Sequence, residues 1–142
     1  MVARNAARSF TGGYFSFRGY KIWYETSGEL RGGVPIVMLH GGPGIPGNSY
    51  APLMQRLAPA RPSVRYDQLG CGRSDRPVDP SLWQVQTFLD ELMALREALG
   101  LDQIHLLGHS WGGMLAIEYL LTRLCSPTGM SNRDWVNSTC RR

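Results

Sequence analysis

The sequence predicts an α/β domain in which an N-terminal β-hairpin precedes parallel strands that alternate with helices. Three observations carry this prediction: alternating aromatic residues near the start, short continuous apolar runs, and helical periodicity between those runs. Short apolar runs are typical of strands buried on both faces of a parallel sheet, and their alternation with helices indicates such a sheet. A length of 142 residues allows one domain, and 43% hydrophobic with 18% charged residues is a globular composition.

The first predicted element is the hairpin, followed by a buried strand. Residues 14–24 form two aromatic-rich alternating runs interrupted by Arg18 and Gly19, which is the pattern of two strands joined by a tight turn. Residues 35–40 form a continuous apolar run that leads into glycines and a proline. We therefore expect a parallel strand there, with a loop at its end.

The next predicted elements complete one β-α-β unit and begin a second. A short helix over 50–57 is followed by a strand over 63–67. A stronger helix begins at Thr87, with apolar residues at helical spacing from Phe88 to Leu99, and ends at Gly100.

The last predicted elements are a strand and a helix around a glycine-rich turn. Residues 104–107 predict a further buried strand, whose outer edge we expect to lack a partner strand in this chain. Residues 114–124 predict a helix so apolar that it needs to be enclosed on most sides. We expect this chain to lack the elements that would enclose it, which would leave six residues partly exposed: Met114, Leu115, Ile117, Tyr119, Leu120 and Leu121.

Composition also predicts domain boundaries and excludes some functions. We expect residues 1–12 to be a disordered N-terminal end and residues 125–142, which show no periodicity, to be a tail that does not belong to the same domain family as the rest of the chain. The net charge of +4 comes from the arginines of the two ends, so a nucleic-acid partner is not expected. No apolar run approaches the ~20 residues of a membrane helix, so no membrane partner is expected either. The 3 cysteines lack metal-like spacing, which favours a cytoplasmic protein without metal or cofactor.

Two glycine-rich segments carry the candidate chemistry. Residues 108–112 match G-x-S-x-G between a predicted strand and a predicted helix, the setting of a nucleophile elbow, with Ser110 as the nucleophile. Residues 40–44, His-Gly-Gly-Pro-Gly, follow another predicted strand, where glycines let backbone N–H groups approach an oxyanion. A phosphate loop is excluded because G-x-x-x-x-G-K-[ST] is absent and Lys21 is the only lysine.

Together with a third motif, these segments resemble a known family. H-G-G-P-G at 40–44, Y-D-Q-L-G-C-G-R-S-D at 66–75 and G-H-S-W-G-G at 108–113 resemble the proline iminopeptidase branch of the α/β-hydrolase fold. The resemblance runs from about residue 14 to residue 123, and it identifies residues 13–124 as the N-terminal half of such a domain. It implies a serine enzyme that removes an N-terminal residue from peptides or amino-acid amides without a cofactor. It further implies an oxyanion hole formed by the backbone N–H groups of Gly42 and Trp111, and a structural role for Asp67.

The sequence departs from this family in its catalytic base. In this fold the acid and the histidine follow the serine, but the only histidines are His40, His105 and His109, and none follows Ser110. We expect His109 to be a packing residue and His105 a core histidine, whereas the resemblance assigns His40 to shaping the oxyanion loop.

Two hypotheses about function therefore stay open. The first is a proline iminopeptidase-like hydrolase acting through an acyl-enzyme at Ser110, with a carboxylesterase as the alternative of the same fold. The second is a truncated or mispredicted, non-catalytic fragment that ends after the nucleophile helix, and the missing histidine favours it. The sequence does not indicate the substrate specificity or the oligomeric state.

Overall fold

The computed structural model describes residues 10–125 and confirms the predicted α/β class. The strands are β1 (Phe10–Phe17), β2 (Tyr20–Ser27), β3 (Ile36–Leu39), β4 (Ser63–Tyr66) and β5 (His105–Gly108), and the helices are α1 (Ala51–Leu57), α2 (Val85–Ala98) and α3 (Trp111–Cys125). Each of these elements was predicted, with ends that differ by a few residues. The largest difference is in β1, which begins four residues before its predicted start, and α3 begins at Trp111 because the turn at Ser110 starts the helix directly.

The N-terminal hairpin forms as predicted. β1 and β2 pair antiparallel from Phe10 opposite Ser27 to Phe17 opposite Tyr20. The turn residues Arg18 and Gly19 both have positive φ, +50° and +85°, as a two-residue hairpin turn requires. β1 begins at Phe10, so residues 10–12 belong to the sheet and not to the predicted disordered end. Residues 1–9 lie outside the described residues.

The sheet order β1-β2-β4-β3-β5 places the two glycine-rich segments side by side. β2 and β4 are antiparallel, whereas β3 is parallel to both β4 and β5. Leu39 at the end of β3 pairs with Gly108 at the end of β5. The segments that follow these strands therefore emerge at the same edge of the sheet, where parallel α/β proteins bind ligands.

The core lies between the sheet and helices α2 and α3. The predicted apolar stripe of α2 is buried at Phe88, Leu92 and Leu95, and it packs in one cluster with Leu115 and Tyr119 of α3. Burial of each large apolar side chain stabilises the fold by about 1.5–3 kcal/mol. This packing fixes the direction in which α3 leaves β5, and so fixes the turn between them.

Two predictions about burial are wrong. β5 is not buried on both faces: His105 and Leu107 are exposed, so His105 is not a core histidine. The reason is that β5 pairs only with β3, and the described residues supply no strand to its other edge. Within residues 10–125, β5 is therefore an edge strand of the sheet.

The second concerns α3, where the predicted partial exposure is wrong for Leu115 and Tyr119 and is confirmed for the other four residues. Leu115 and Tyr119 are buried, but four apolar residues on the other side of the helix are exposed. They are Met114 at 62%, Ile117 at 59%, Leu120 at 53% and Leu121 at 49%, and are called the α3 face below. The described part of the chain covers only one side of α3. Residues 126–142, which include most of the predicted tail, lie outside the described residues.

Candidate active site

The turn between β5 and α3 holds Ser110 in a strained backbone conformation. Its φ of +53° lies in the left-handed region, which L side chains rarely occupy. The backbone N–H groups of Gly113 and Met114 both donate to the Ser110 carbonyl, at 2.9 and 3.1 Å, and so begin α3 at once. An exposed serine with this strain, between a strand and a helix, has the geometry of a nucleophile elbow.

The glycines of the elbow are required by close approach of the backbone. A Cβ on Gly108 would lie 2.2 Å from the carbonyl oxygen of Gly112. A Cβ on Gly112 would lie 1.9 Å from the carbonyl oxygen of Leu39. Since real Cβ contacts are never that short, neither position accepts a side chain, which is a steric reason for both glycines of the G-x-S-x-G pattern.

The loop after β3 packs directly against the elbow. A Cβ on Gly41 would lie 3.2 Å from His109 Nδ1 and 3.4 Å from the Cβ of Ser110, so the Gly41 backbone runs beside the serine. Gly42 has φ +121°, a conformation that glycine adopts without strain. The loop therefore presents bare backbone next to Ser110.

These segments line a cavity of about 550 Å³, and Ser110 lies in its wall. The other lining residues are Gly41, Gly42, Ile45, Ser49, Tyr50 and His109. Tyr50 donates its hydroxyl to the Leu39 carbonyl at 3.0 Å, and burial raises the pKa of this phenol. Three of these lining residues could not be predicted from the sequence: Ile45, Ser49 and Tyr50. Their nearness to Ser110 depends on the path of the loop after β3.

His40 is buried and both of its ring nitrogens are engaged. Nε2 accepts the backbone N–H of Gln68 at 2.9 Å, so Nδ1 carries the proton and donates to the Gly41 carbonyl at 2.9 Å. Burial lowers the pKa of this imidazole, which keeps the ring neutral. His40 shapes the loop, as the resemblance implies, and has no free nitrogen to take a proton from Ser110.

Asp67 has the structural role that the resemblance implies. Its carboxylate is buried and accepts the backbone N–H of Gly47 at 2.9 Å and that of Arg73 at 3.0 Å. These two bonds connect the loop after β4 to the segment that precedes α1. Both oxygens are thereby used, and Asp67 supports the wall of the cavity from behind.

Within residues 10–125 the Ser110 hydroxyl makes no hydrogen bond, so no side chain there is hydrogen-bonded to it as a base. His109 is exposed on the same sharp turn and lines the cavity, instead of being the predicted packing residue. Among the described residues there is also no cluster of three or more potential metal ligands. None of the helices in that range is long and apolar enough to cross a membrane.

Comparison with known proteins shows what this chain is similar to. Residues 34–132 match the family model of the alpha/beta hydrolase fold, a range that contains all three motifs and extends into the predicted tail at 125–142. The chain is 44% identical over 124 residues to a proline iminopeptidase of Heyndrickxia coagulans, covering 87% of this chain and 41% of that protein. It is 53% identical over 109 residues to a proline iminopeptidase of Levilactobacillus brevis, covering 75% and 36% respectively.

A solved structure gives the same result. The proline iminopeptidase of Mycobacterium smegmatis superposes with a TM-score of 0.67 at 34% identity, over 77% of this chain and 38% of that chain. The chain thus spans less than half the length of these relatives.

Proposed function

Because this chain belongs to the α/β-hydrolase fold family, we propose that it carries the nucleophile and the oxyanion hole of a proline iminopeptidase-like serine hydrolase. The observation that carries the proposal is the strained Ser110 in the wall of a cavity, beside the bare backbone of Gly41 and Gly42. The similarity to several proline iminopeptidases supports the substrate class, which is peptides with an N-terminal proline or amino-acid amides.

The proposed reaction is acyl transfer to water. Ser110 Oγ attacks the carbonyl carbon of the scissile amide, and the backbone N–H groups of Gly42 and Trp111 stabilise the oxyanion of the tetrahedral intermediate. The C–N bond breaks, the amine leaves with a proton, and the acyl group stays on Ser110 as an ester. Water then attacks the ester, which releases the carboxylic acid and restores the Ser110 hydroxyl.

We propose that the 142-residue chain alone catalyses this reaction slowly. A serine hydroxyl needs a base, no histidine follows Ser110 in this sequence, and both nitrogens of His40 are engaged. An enzyme of this type without a triad member keeps only about 10³–10⁴-fold acceleration over water, from the oxyanion hole and binding. The engaged His40 likewise favours the second candidate, a non-catalytic fragment. A cytoplasmic location stays a prediction.

Hydrolysis of arylamides tests the proposal. We expect slow release of arylamine from proline arylamide and slower release from N-acetylproline arylamide, with the activity lost in Ser110→Ala and kept in Ser81→Ala, an exposed control. Aryl esters of proline and of N-acetylproline test the carboxylesterase alternative, which predicts that the N-acylated ester is hydrolysed at least as fast as the free-amine ester. Equal rates for wild type and Ser110→Ala would contradict the proposed nucleophile. Turnover in the ordinary enzyme range of about 1–10³ s⁻¹ would show that a base is present.

A further inference from the structure

We propose that Gln68 is a positioning residue that ties together the two backbone segments of the oxyanion hole. The inference rests on the proposed function, since that proposal assigns the two N–H donors to Gly42 and Trp111. Gln68 itself does not line the cavity.

Gln68 contacts both segments from a buried position in the loop after β4. Only 1% of its surface is exposed. Its backbone N–H donates to His40 Nε2 at 2.9 Å, and its side-chain Nε2 donates to the His40 carbonyl at 3.3 Å. Its side-chain Oε1 accepts the indole N–H of Trp111 at 2.8 Å. One residue therefore bonds to the residue that precedes Gly41–Gly42 and to the residue that follows Ser110.

The two hydrogen-bond partners of the Gln68 side chain require an amide group between them. The His40 carbonyl only accepts and the Trp111 indole only donates, so the side chain between them must donate at one end and accept at the other. Glutamine does both. A methionine of similar length does neither, and a carboxylate has no donor for the carbonyl.

Gln68 is itself held on both sides, which makes it a rigid point for the two segments. The next backbone N–H, that of Leu69, donates to Glu91 Oε1 at 2.6 Å. The Gln68 carbonyl accepts the backbone N–H of Cys71 at 3.1 Å and its thiol at 3.2 Å. Buried hydrogen bonds on both sides of Gln68 restrict its motion.

The consequence concerns preorganisation of the oxyanion hole. The two proposed donors come from different strand ends, and such donors stabilise an oxyanion best when their positions are fixed before the reaction. The indole of Trp111 also packs edge-on against Phe88, with ring centroids 5.5 Å apart, which restricts the Trp111 end independently. The structure thus assigns to Gln68 the coupling of one donor to the other.

Backbone dynamics measured by NMR on the whole chain test this coupling. The variants are Gln68→Met, Trp111→Phe, the double variant, and Gln103→Met as a control at an exposed glutamine near the opposite end of β5. In wild type we expect backbone amide order parameters (S²) of about 0.85 at Gly42 and Trp111. In Gln68→Met we expect both to fall toward about 0.6, with β1 and the Gln103→Met control unchanged.

The double variant shows whether Gln68 couples Trp111 to Gly42 or whether each substitution only makes its own surroundings more mobile. Trp111→Phe removes the indole donor but keeps an aromatic ring, so it should lower the order parameter of Gly42 when Gln68 is present. It should have no further effect on Gly42 when residue 68 is methionine, because the connection is already lost. A fall at only one of Gly42 and Trp111 in Gln68→Met, an equal fall throughout β1 and β2, or additive effects in the double variant would overturn the proposal.

Hydrolysis provides a second readout. If wild type shows hydrolysis that depends on Ser110, Gln68→Met should lower kcat about tenfold and leave KM unchanged, since the oxyanion forms only after binding. A raised KM with unchanged kcat would overturn the positioning role. If wild type shows no such hydrolysis, the proposed function fails, and the order parameters still decide the role of Gln68.

Discussion

Glu91 lies on the buried side of α2 with one of its two carboxyl oxygens unpartnered. Oε1 accepts the backbone N–H of Leu69 at 2.6 Å, whereas Oε2 and the nearby buried hydroxyl of Tyr66 have no hydrogen-bond partner among the described residues. Burial raises the pKa of Glu91 to about 8, and the same cause raises the pKa of Tyr66. At neutral pH Glu91 is therefore mostly protonated, and this neutral acid supports the loop that contains Gln68.

This raised pKa predicts a stability that falls as pH rises. The pKa of an unfolded glutamate is 4.5, so between about pH 4.5 and 8 the folded chain binds the proton that the unfolded chain releases. The stabilisation is complete below that range and is lost as pH rises through it. Glu91→Gln keeps the acceptor for Leu69 and cannot ionise. We expect thermal unfolding of this variant to depend less on pH and to occur at higher temperature than wild type at pH 8.5.

The matched control is Glu97→Gln, at an exposed position on the same helix. We expect its unfolding temperature to follow wild type at every pH. If Glu91→Gln showed the same pH dependence as wild type and control, Glu91 would ionise normally and the raised pKa would be wrong.

The tight turn between β5 and α3 requires a glycine at position 112 but not at position 113. Alanine substitutions at these two adjacent glycines test this. A Cβ on Gly112 would lie 1.9 Å from the Leu39 carbonyl oxygen, whereas a Cβ on Gly113 would meet its nearest neighbour, the Gly108 carbonyl oxygen, at 3.6 Å. We expect Gly112→Ala to destabilise the fold by about 3 kcal/mol or more, because β3 must move away from α3. Gly113→Ala should be neutral or stabilise by up to about 1 kcal/mol, since alanine favours a helix.

Urea unfolding of both variants measures this difference. Similar free energies of unfolding for Gly112→Ala and Gly113→Ala would show that the turn is looser than described.

The strands, the helices and the elbow could be predicted from the sequence because each depends on a local signal. The apolar run of β3, the period of α2 and the glycines at 108 and 112 are visible without knowledge of the fold. Exposure of the α3 face could also be predicted, because the helix is apolar on more sides than this chain can cover. Exposure of His105 and burial of Leu115 and Tyr119 could not, because they depend on which elements cover each surface. The role of Gln68 could not be predicted from the sequence either, since its partners His40 and Trp111 are brought together only by the pairing of β3 with β5.

The α3 face is an apolar surface that the described residues leave uncovered. Contiguous exposed apolar patches of this kind bind hydrophobic dyes or other proteins. We expect the chain to bind a fluorescent hydrophobic dye, and expect Ile117→Gln with Leu120→Gln to reduce dye binding and change stability by no more than about 0.5 kcal/mol each.

A matched truncation on α3 distinguishes its two sides. Leu115 is fully buried and Leu120 is 53% exposed, so Leu115→Ala should cost about 2–5 kcal/mol and Leu120→Ala much less. Equal costs in urea unfolding, or an absence of dye binding by wild type, would mean that the α3 face is covered in solution.

We propose that Ser110 lies in a formed nucleophile elbow and lacks only its base. The most direct measurement is covalent labelling by an aryl fluorophosphonate, located and timed by peptide mass spectrometry, with and without added imidazole. We predict slow labelling of Ser110 that imidazole accelerates, with much slower labelling of the exposed Ser81 under both conditions. Labelling of Ser110 no faster than that of Ser81 would contradict a formed elbow. Rapid stoichiometric labelling without imidazole would contradict the missing base.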